Sequence, residues 1–83
     1  MNFKLVIHFQ NGESREVTCV AADMVAFESH FDMSVARLEK EVRLSHLFFL
    51  AWSVEKRTKA TTKEFDAWLE EVESVAPAEQ PNK

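Results

Sequence analysis

Residues that break or cross-link a chain are scarce here. One glycine, Gly12, and two prolines occur in 83 residues, and both prolines fall in the last seven. The body of the chain is therefore nearly free of helix breakers. A single glycine also excludes a Gly-rich phosphate loop. The one cysteine, Cys19, excludes an internal disulfide and suits a reducing cytosol. It falls on the apolar side of an expected strand and reads as a small buried hydrophobe. A basic excess is missing too. The net charge of −4 argues against nucleic acid or an acidic membrane as a principal partner. No hydrophobic run is long enough to span a bilayer, because Leu44 to Val54 is interrupted by Ser45, His46 and Ser53. Met1-Asn2-Phe3-Lys4 opens directly into an alternating pattern, so no signal peptide is expected.

What is present suits one small globular domain. The chain is 46% apolar and 29% charged, which separates it from disordered compositions. At this length roughly 60–65% of the unfolded surface is buried on folding, so the core is small and its stability modest.

Phe3, Leu5, Ile7 and Phe9 alternate with Lys4, Val6, His8 and Gln10, the period of a half-buried strand. Asn11-Gly12 is a turn signal, and Arg15, Val17 and Cys19 then alternate with Glu16, Thr18 and Val20. A two-residue turn would pair Leu5 with Thr18 and Ile7 with Glu16. A three-residue loop from Gln10 to Gly12, with Gly12 as a left-handed bulge, pairs Leu5 with Val17 and Phe3 with Cys19. The second register keeps apolar residues together and is the one expected.

Asp23 reads as the N-cap of a helix from Met24 to about Phe31, with Met24, Phe27 and Phe31 in one stripe. Ser34 can cap a following helix in which Val35, Leu38 and Val42 continue the period. Whether Ser34 to Arg57 is one helix or two is left open. Thr61-x-x-Glu64 matches a capping box, and Phe65, Trp68, Leu69 and Val72 follow at amphipathic spacing. Pro77 ends that helix. The expected fold is thus α+β, an N-terminal β-hairpin followed by three to four α-helices. It forms one helix-dominated domain over residues 1–76 with a disordered polar tail over 77–83.

The segment from Arg43 to Val54 carries the main puzzle. At 100° per residue only a narrow strip with His46, Ser53 and Arg57 is clearly polar. A helix so apolar has to be covered on several sides, and a short chain has little material for that. Either the aromatic residues pack on one another and on the hairpin, or one side stays open as an interaction surface. Phe27, Phe31, Leu47, Phe48, Phe49, Trp52 and Trp68 are the candidate partner-binding residues. Near the last connection Lys56, Arg57, Lys59 and Lys63 cluster. Glu64, Asp66, Glu70, Glu71 and Glu73 line the last expected helix, as a solvated face or a docking face for a basic partner.

No constellation for chemistry is evident. His8, His30 and His46 share no ligand spacing, and Cys19 has no Cys-x-x-Cys partner. The carboxylate pairs Glu28/Asp32 and Asp66/Glu70 fall on exposed sides of short helices, away from any cleft that would shift their pKa values. The expectation is a protein that is not an enzyme, with no catalytic residues, metal or cofactor.

Three stretches together resemble a known family. They are Asp23-Met24-Val25-Ala26-Phe27-Glu28-x-His30-Phe31, then Arg43-Leu44-x-His46-Leu47-x-Phe49-Leu50-Ala51-Trp52, then Phe65-Asp66-x-Trp68-Leu69-x-x-Val72. With the leading hairpin they resemble the small tail assembly chaperones of long-tailed bacteriophages, over about residues 3 to 75. Many relatives have Gly after the His-Phe pair, where this chain has Asp32. The resemblance implies a protein of the host cytoplasm that binds the tape-measure protein and keeps it soluble. It also implies absence from the mature virion, and possible homo-oligomers. It implies a short form beside a longer frameshifted form that recruits tail tube protein. Two other classes compete: a small structural tail or connector protein retained in the particle, and an adaptor whose hairpin edge accepts a strand.

Overall fold

The computed structural model describes residues 3–34 and 43–78. Its elements in chain order are β1 (Phe3–Phe9), β2 (Ser14–Cys19), α1 (Ala21–Phe31), α2 (Leu44–Arg57), α3 (Phe65–Leu69) and β3 (Val72–Pro77).

The hairpin forms in the bulged register. Phe3 lies opposite Cys19, Leu5 opposite Val17 and Ile7 opposite Arg15. Phe9 N–H donates to the Glu13 carbonyl at 2.8 Å and Gly12 N–H to the Phe9 carbonyl at 3.0 Å. Gly12 takes φ +94°, a conformation that costs a residue without Cβ little. Leu5, Ile7, Phe9, Val17 and Cys19 are all buried on one face.

The expected hairpin with three to four helices is corrected by a third strand. The sheet has the order β2-β1-β3, and β3 pairs antiparallel with β1, Ile7 opposite Val75 and Leu5 opposite Pro77. The amphipathic pattern from Phe65 therefore yields only the short α3, and the chain then extends. Val72 is opposite Phe9 and Ser74 opposite His8, with a register shift between them. Glu73 is thus an extra, bulged residue. The bulge changes the side-chain alternation, so Val72 and Val75, three apart, are both buried. That spacing reads as helical in a sequence. Glu70, Glu71 and Glu73 would also have crowded the negative end of a longer helix. Pro77, expected to open the tail, closes β3, and Ala78 N–H still donates to the Lys4 carbonyl at 3.0 Å.

Helix boundaries differ in detail from the expected ones. α1 starts at Ala21 after an extended Val20, and Asp23 is not the N-cap residue but sits in the first turn and accepts from the Val20 N–H. Arg43 is extended, φ −117° and ψ 157°, so no helix runs unbroken from Ser34 to Arg57. The stripe expected of Val35, Leu38 and Val42 lies outside the described residues. α3 starts after Glu64, with Thr61 Oγ1 accepting instead from Lys63 N–H at 3.2 Å.

Two helices end without glycine. Asp32 terminates α1 at φ 53°. After α2, Lys59 takes φ 68°, Lys59 N–H donates to Lys56 and Ala60 N–H to Glu55. This is a Schellman ending with lysine in the left-handed position. A Cβ there is strained by about 1 kcal/mol. Lys59→Gly is therefore expected to stabilise the fold by about 0.5–1 kcal/mol, and Asp32→Gly to act in the same direction. Urea unfolding checks this through a higher midpoint at unchanged slope. A lower midpoint for Lys59→Gly would show that the lysine side chain outweighs the backbone relief.

Candidate functional site

α2 contacts α1, α3 and all three strands. Leu47, Phe49, Leu50, Ala51 and Val54 are buried, and so are His46 and Glu55. The polar strip of α2 is therefore not a solvated face. Its start meets the end of α1, where the His46 ring lies edge-on to Phe27 and Phe31, centroids 5.2 and 4.8 Å away. His46 Nδ1 accepts from Arg43 N–H at 3.3 Å, which satisfies one free donor of the helix start.

The end of α2 meets the start of α1 through Asp23. This carboxylate is fully buried. Oδ2 accepts from Val20 N–H at 2.9 Å and from Arg57 Nη2 at 2.9 Å. Oδ1 accepts from Ser53 Oγ at 2.7 Å and Arg57 Nε at 3.2 Å. Burial is the largest single influence on the Asp23 carboxyl and pushes its pKa up. The hydrogen bonds from Arg57, Val20 and Ser53, with the Arg57 charge, outweigh it and hold the group below the usual carboxylate range. Asp23 in turn raises Arg57. Burial, with the Asp23 charge adding and Arg57 opposing, pushes the neighbouring Cys19 thiol up to about 12. Its Sγ lies 4.0 Å from the Leu50 carbonyl. Cys19 is an unreactive core residue in this setting.

The candidate partner-binding residues divide. Phe27 and Trp68 are fully buried, and Leu47 and Phe49 are nearly so. Phe49 is roofed by aromatic rings. His30 stacks on it at 4.4 Å and 15°, while Phe31, Trp52 and Phe65 lie at 5.5, 5.5 and 5.7 Å. These four candidates are core in the folded chain. Phe31, Phe48 and Trp52 remain partly exposed. Trp52 is held in place because Nε1 donates to the Lys63 carbonyl at 2.9 Å and Lys56 Nζ lies 5.3 Å from the ring. Leu44 is 67% exposed. Leu44, Phe48 and Trp52 sit at i, i+4 and i+8, so they form one apolar line along the outside of α2.

Two features lie outside the sequence-based expectation. Asp23 signals a helix start, but its three partners come from residues 20, 53 and 57. Glu55 is 2% exposed, with Arg15 Nη1 3.3 Å from Oε2. A signal existed for Glu55, which follows Ala51 by one turn and Phe48 by two and so shares their apolar side. The acidic side, read as a solvated face or a docking face for a basic partner, is partly neutralised: Lys56 pairs with Glu64 at 3.1 Å and Lys63 with Glu71. Among the described residues no group of three or more His, Cys, Asp and Glu side chains is placed to hold a metal ion. Nor is any described helix long and apolar enough to cross a membrane. Comparisons with family models, characterised proteins and solved structures return no match to this chain.

The two halves of the Asp23–Arg57 pair are expected to respond unequally. Arg57→Met leaves a buried carboxylate short of its cation, a change that costs about 3–5 kcal/mol in fully buried pairs. The Arg57 side chain is 37% exposed, so screening reduces this to about 2–3 kcal/mol. Asp23→Asn keeps an acceptor for Val20 and leaves Arg57 free to turn to water, for about 1–2 kcal/mol. An inverted order in urea midpoints would remove the argument. The pH dependence follows the depressed Asp23 pKa. Its contribution is fully present above the unfolded carboxylate pKa of about 3.9 and is lost as pH falls through the lower folded value. Stability of Asp23→Asn is expected to fall less steeply than that of the parent below about pH 4.

Proposed function

We propose that this chain is a non-catalytic assembly chaperone of the phage-tail type that binds the tape-measure protein and keeps it soluble. The observation that carries this reading is the outer line of α2, Leu44, Phe48 and Trp52, with the partly buried Phe65 ring 5.6 Å from that of Trp52. A helical client with apolar residues at i, i+3 and i+4 can lay its stripe along such a line. The resemblance in the Asp23–Phe31, Arg43–Trp52 and Phe65–Val72 stretches supplies the client's identity. On this reading the protein acts in the host cytoplasm and is absent from the mature virion. Several copies along one tape-measure protein add avidity where their spacing allows. A longer frameshifted form would bring in tail tube protein.

Relative to the sequence-based expectation, the binding surface moves. Phe27, Leu47, Phe49 and Trp68 leave it and Leu44 joins it. Phe48→Glu combined with Leu44→Glu is expected to reduce soluble co-expressed tape-measure protein at least roughly tenfold. The circular dichroism melt should shift by no more than about 1 kcal/mol of stability. Phe49→Asp is expected to unfold the chain outright. Full client solubility with the double glutamate variant would end the proposal for this surface. Detection of the chain by mass spectrometry in purified particles would favour a retained structural component instead.

A further inference from the structure

We infer that Asn11 is a chemical modification site, where the side-chain amide is lost to water through attack by the Gly12 nitrogen, and that the closed hairpin loop holds this reaction back.

Of the three asparagines in the chain, Asn2, Asn11 and Asn82, only Asn11 precedes a glycine. The reaction needs the next backbone nitrogen to reach the carbonyl carbon of the asparagine side chain, and a side chain on that next residue stands in the way. Gly12 has none. A Cβ at this position would meet no atom within 4 Å, and Asn11 itself is exposed, so the site is open to water. In the first step the Gly12 nitrogen bonds to Asn11 Cγ and gives up its proton. The bond from Cγ to the side-chain nitrogen breaks, and ammonia leaves with that proton. Water then opens the resulting five-membered imide. Cleavage at Cγ leaves aspartate, and cleavage at the Asn11 main-chain carbonyl leaves isoaspartate. Water is the only co-reactant, and nothing is oxidised or reduced.

The folded loop opposes the first step at both reacting groups. Gly12 N–H donates to the Phe9 carbonyl at 3.0 Å, and this bond is lost once the nitrogen becomes part of the imide. Asn11 Oδ1 accepts from Glu13 N–H at 2.9 Å, an Asx turn that fixes the side chain in one orientation. Further bonds tie the tip down. Phe9 N–H donates to the Glu13 carbonyl at 2.8 Å and Gln10 N–H to the Glu71 carbonyl at 2.9 Å. Gln10 Nε2 donates to the Val72 carbonyl at 3.3 Å. The hairpin tip is thus fastened to itself and to the chain between α3 and β3. Reaction requires the loop to open, so its rate follows the population of the open loop. Isoaspartate adds one atom to the main chain, and the three-residue loop around Gly12 cannot then re-form as it was. Isoaspartate at position 11 therefore records an opening of the hairpin tip. The inference rests on that tip alone, and stands or falls separately from the client proposed for the outer line of α2.

The test incubates the full chain and a synthetic peptide of the Leu5–Arg15 sequence side by side at mildly alkaline pH. Trypsin cuts the chain after Lys4 and Arg15, so mass spectrometry of the same segment follows Asn11 in both samples. The peptide is expected to convert, and the folded chain to convert at least roughly tenfold more slowly. Gln10→Ala removes the tie to Val72 and should speed conversion in the full chain by roughly threefold, while the same change in the peptide leaves its rate as it was. A peptide that does not convert would overturn the assignment of the site. Equal rates in the folded chain and the peptide would overturn the protection by the loop. So would a Gln10→Ala chain that converts as slowly as the parent.

Discussion

A helix that is apolar around most of its circumference has to be covered from more than one direction, and α2 meets a different kind of surface on each side. The inner face of the sheet, with Leu5, Ile7, Val17, Cys19 and Val75, forms part of one continuous core with Leu47, Leu50, Ala51 and Val54. α1 brings aromatic rings to the first half of α2 and a carboxylate to the second half. α3 contributes Trp68 and Phe65. Burying each large apolar side chain stabilises the fold by about 1.5–3 kcal/mol. The line at Leu44, Phe48 and Trp52 is what the described elements leave partly exposed.

The contacts of α1 with α2 also show how the two helices run. The start of α1 lies by the end of α2, and the end of α1 by the start of α2, so they are antiparallel. Asp23 sits in the first turn of α1 and Arg57 in the last turn of α2. Each charge thus also lies at the favourable pole of its own helix. Hydrogen bonds, ion pairing and the helix dipoles act in one direction at this corner. That is why a fully buried carboxylate is held ionised so close to the core, while the adjacent Cys19 thiol is kept protonated chiefly by its own burial.

Local pattern carried some of this architecture and not the rest. The hairpin register was legible because Gly12 and the apolar alternation of Phe3 to Phe9 with Val17 and Cys19 point to one pairing. The buried face of β1 and β2 followed from it. β3 was not legible, because the bulge at Glu73 gives Val72 and Val75 the spacing of a helix. Helix ends were obscured for a related reason: the sole glycine is used in the hairpin, so left-handed caps fall to Asp32 and Lys59, residues that do not announce a stop. The candidate surface was legible as an excess of aromatics on α2. Which of them would be roofed depended on His30 and Phe65, which approach from other elements. The role of Asp23 depended on partners thirty and more residues away.

An exposed leucine is ordinary in a soluble protein, so Leu44 alone would carry little weight. Its position on α2 changes that. At 100° per residue Leu44, Phe48 and Glu55 occupy one side of the helix. At the far end of that side the hairpin closes over Glu55 through Arg15. At the near end nothing among the described residues closes over Leu44, and Trp52 between them is fixed by the Lys63 carbonyl. A fixed indole beside two aliphatic and aromatic neighbours is a preorganised apolar line, which lowers the ordering cost of receiving a helix. A chain selected only for solubility would be expected to place charge along that side, as it does at Glu64, Asp66 and Glu70. Retaining apolar residues there is the physical argument on which the proposal of a partner for α2 rests.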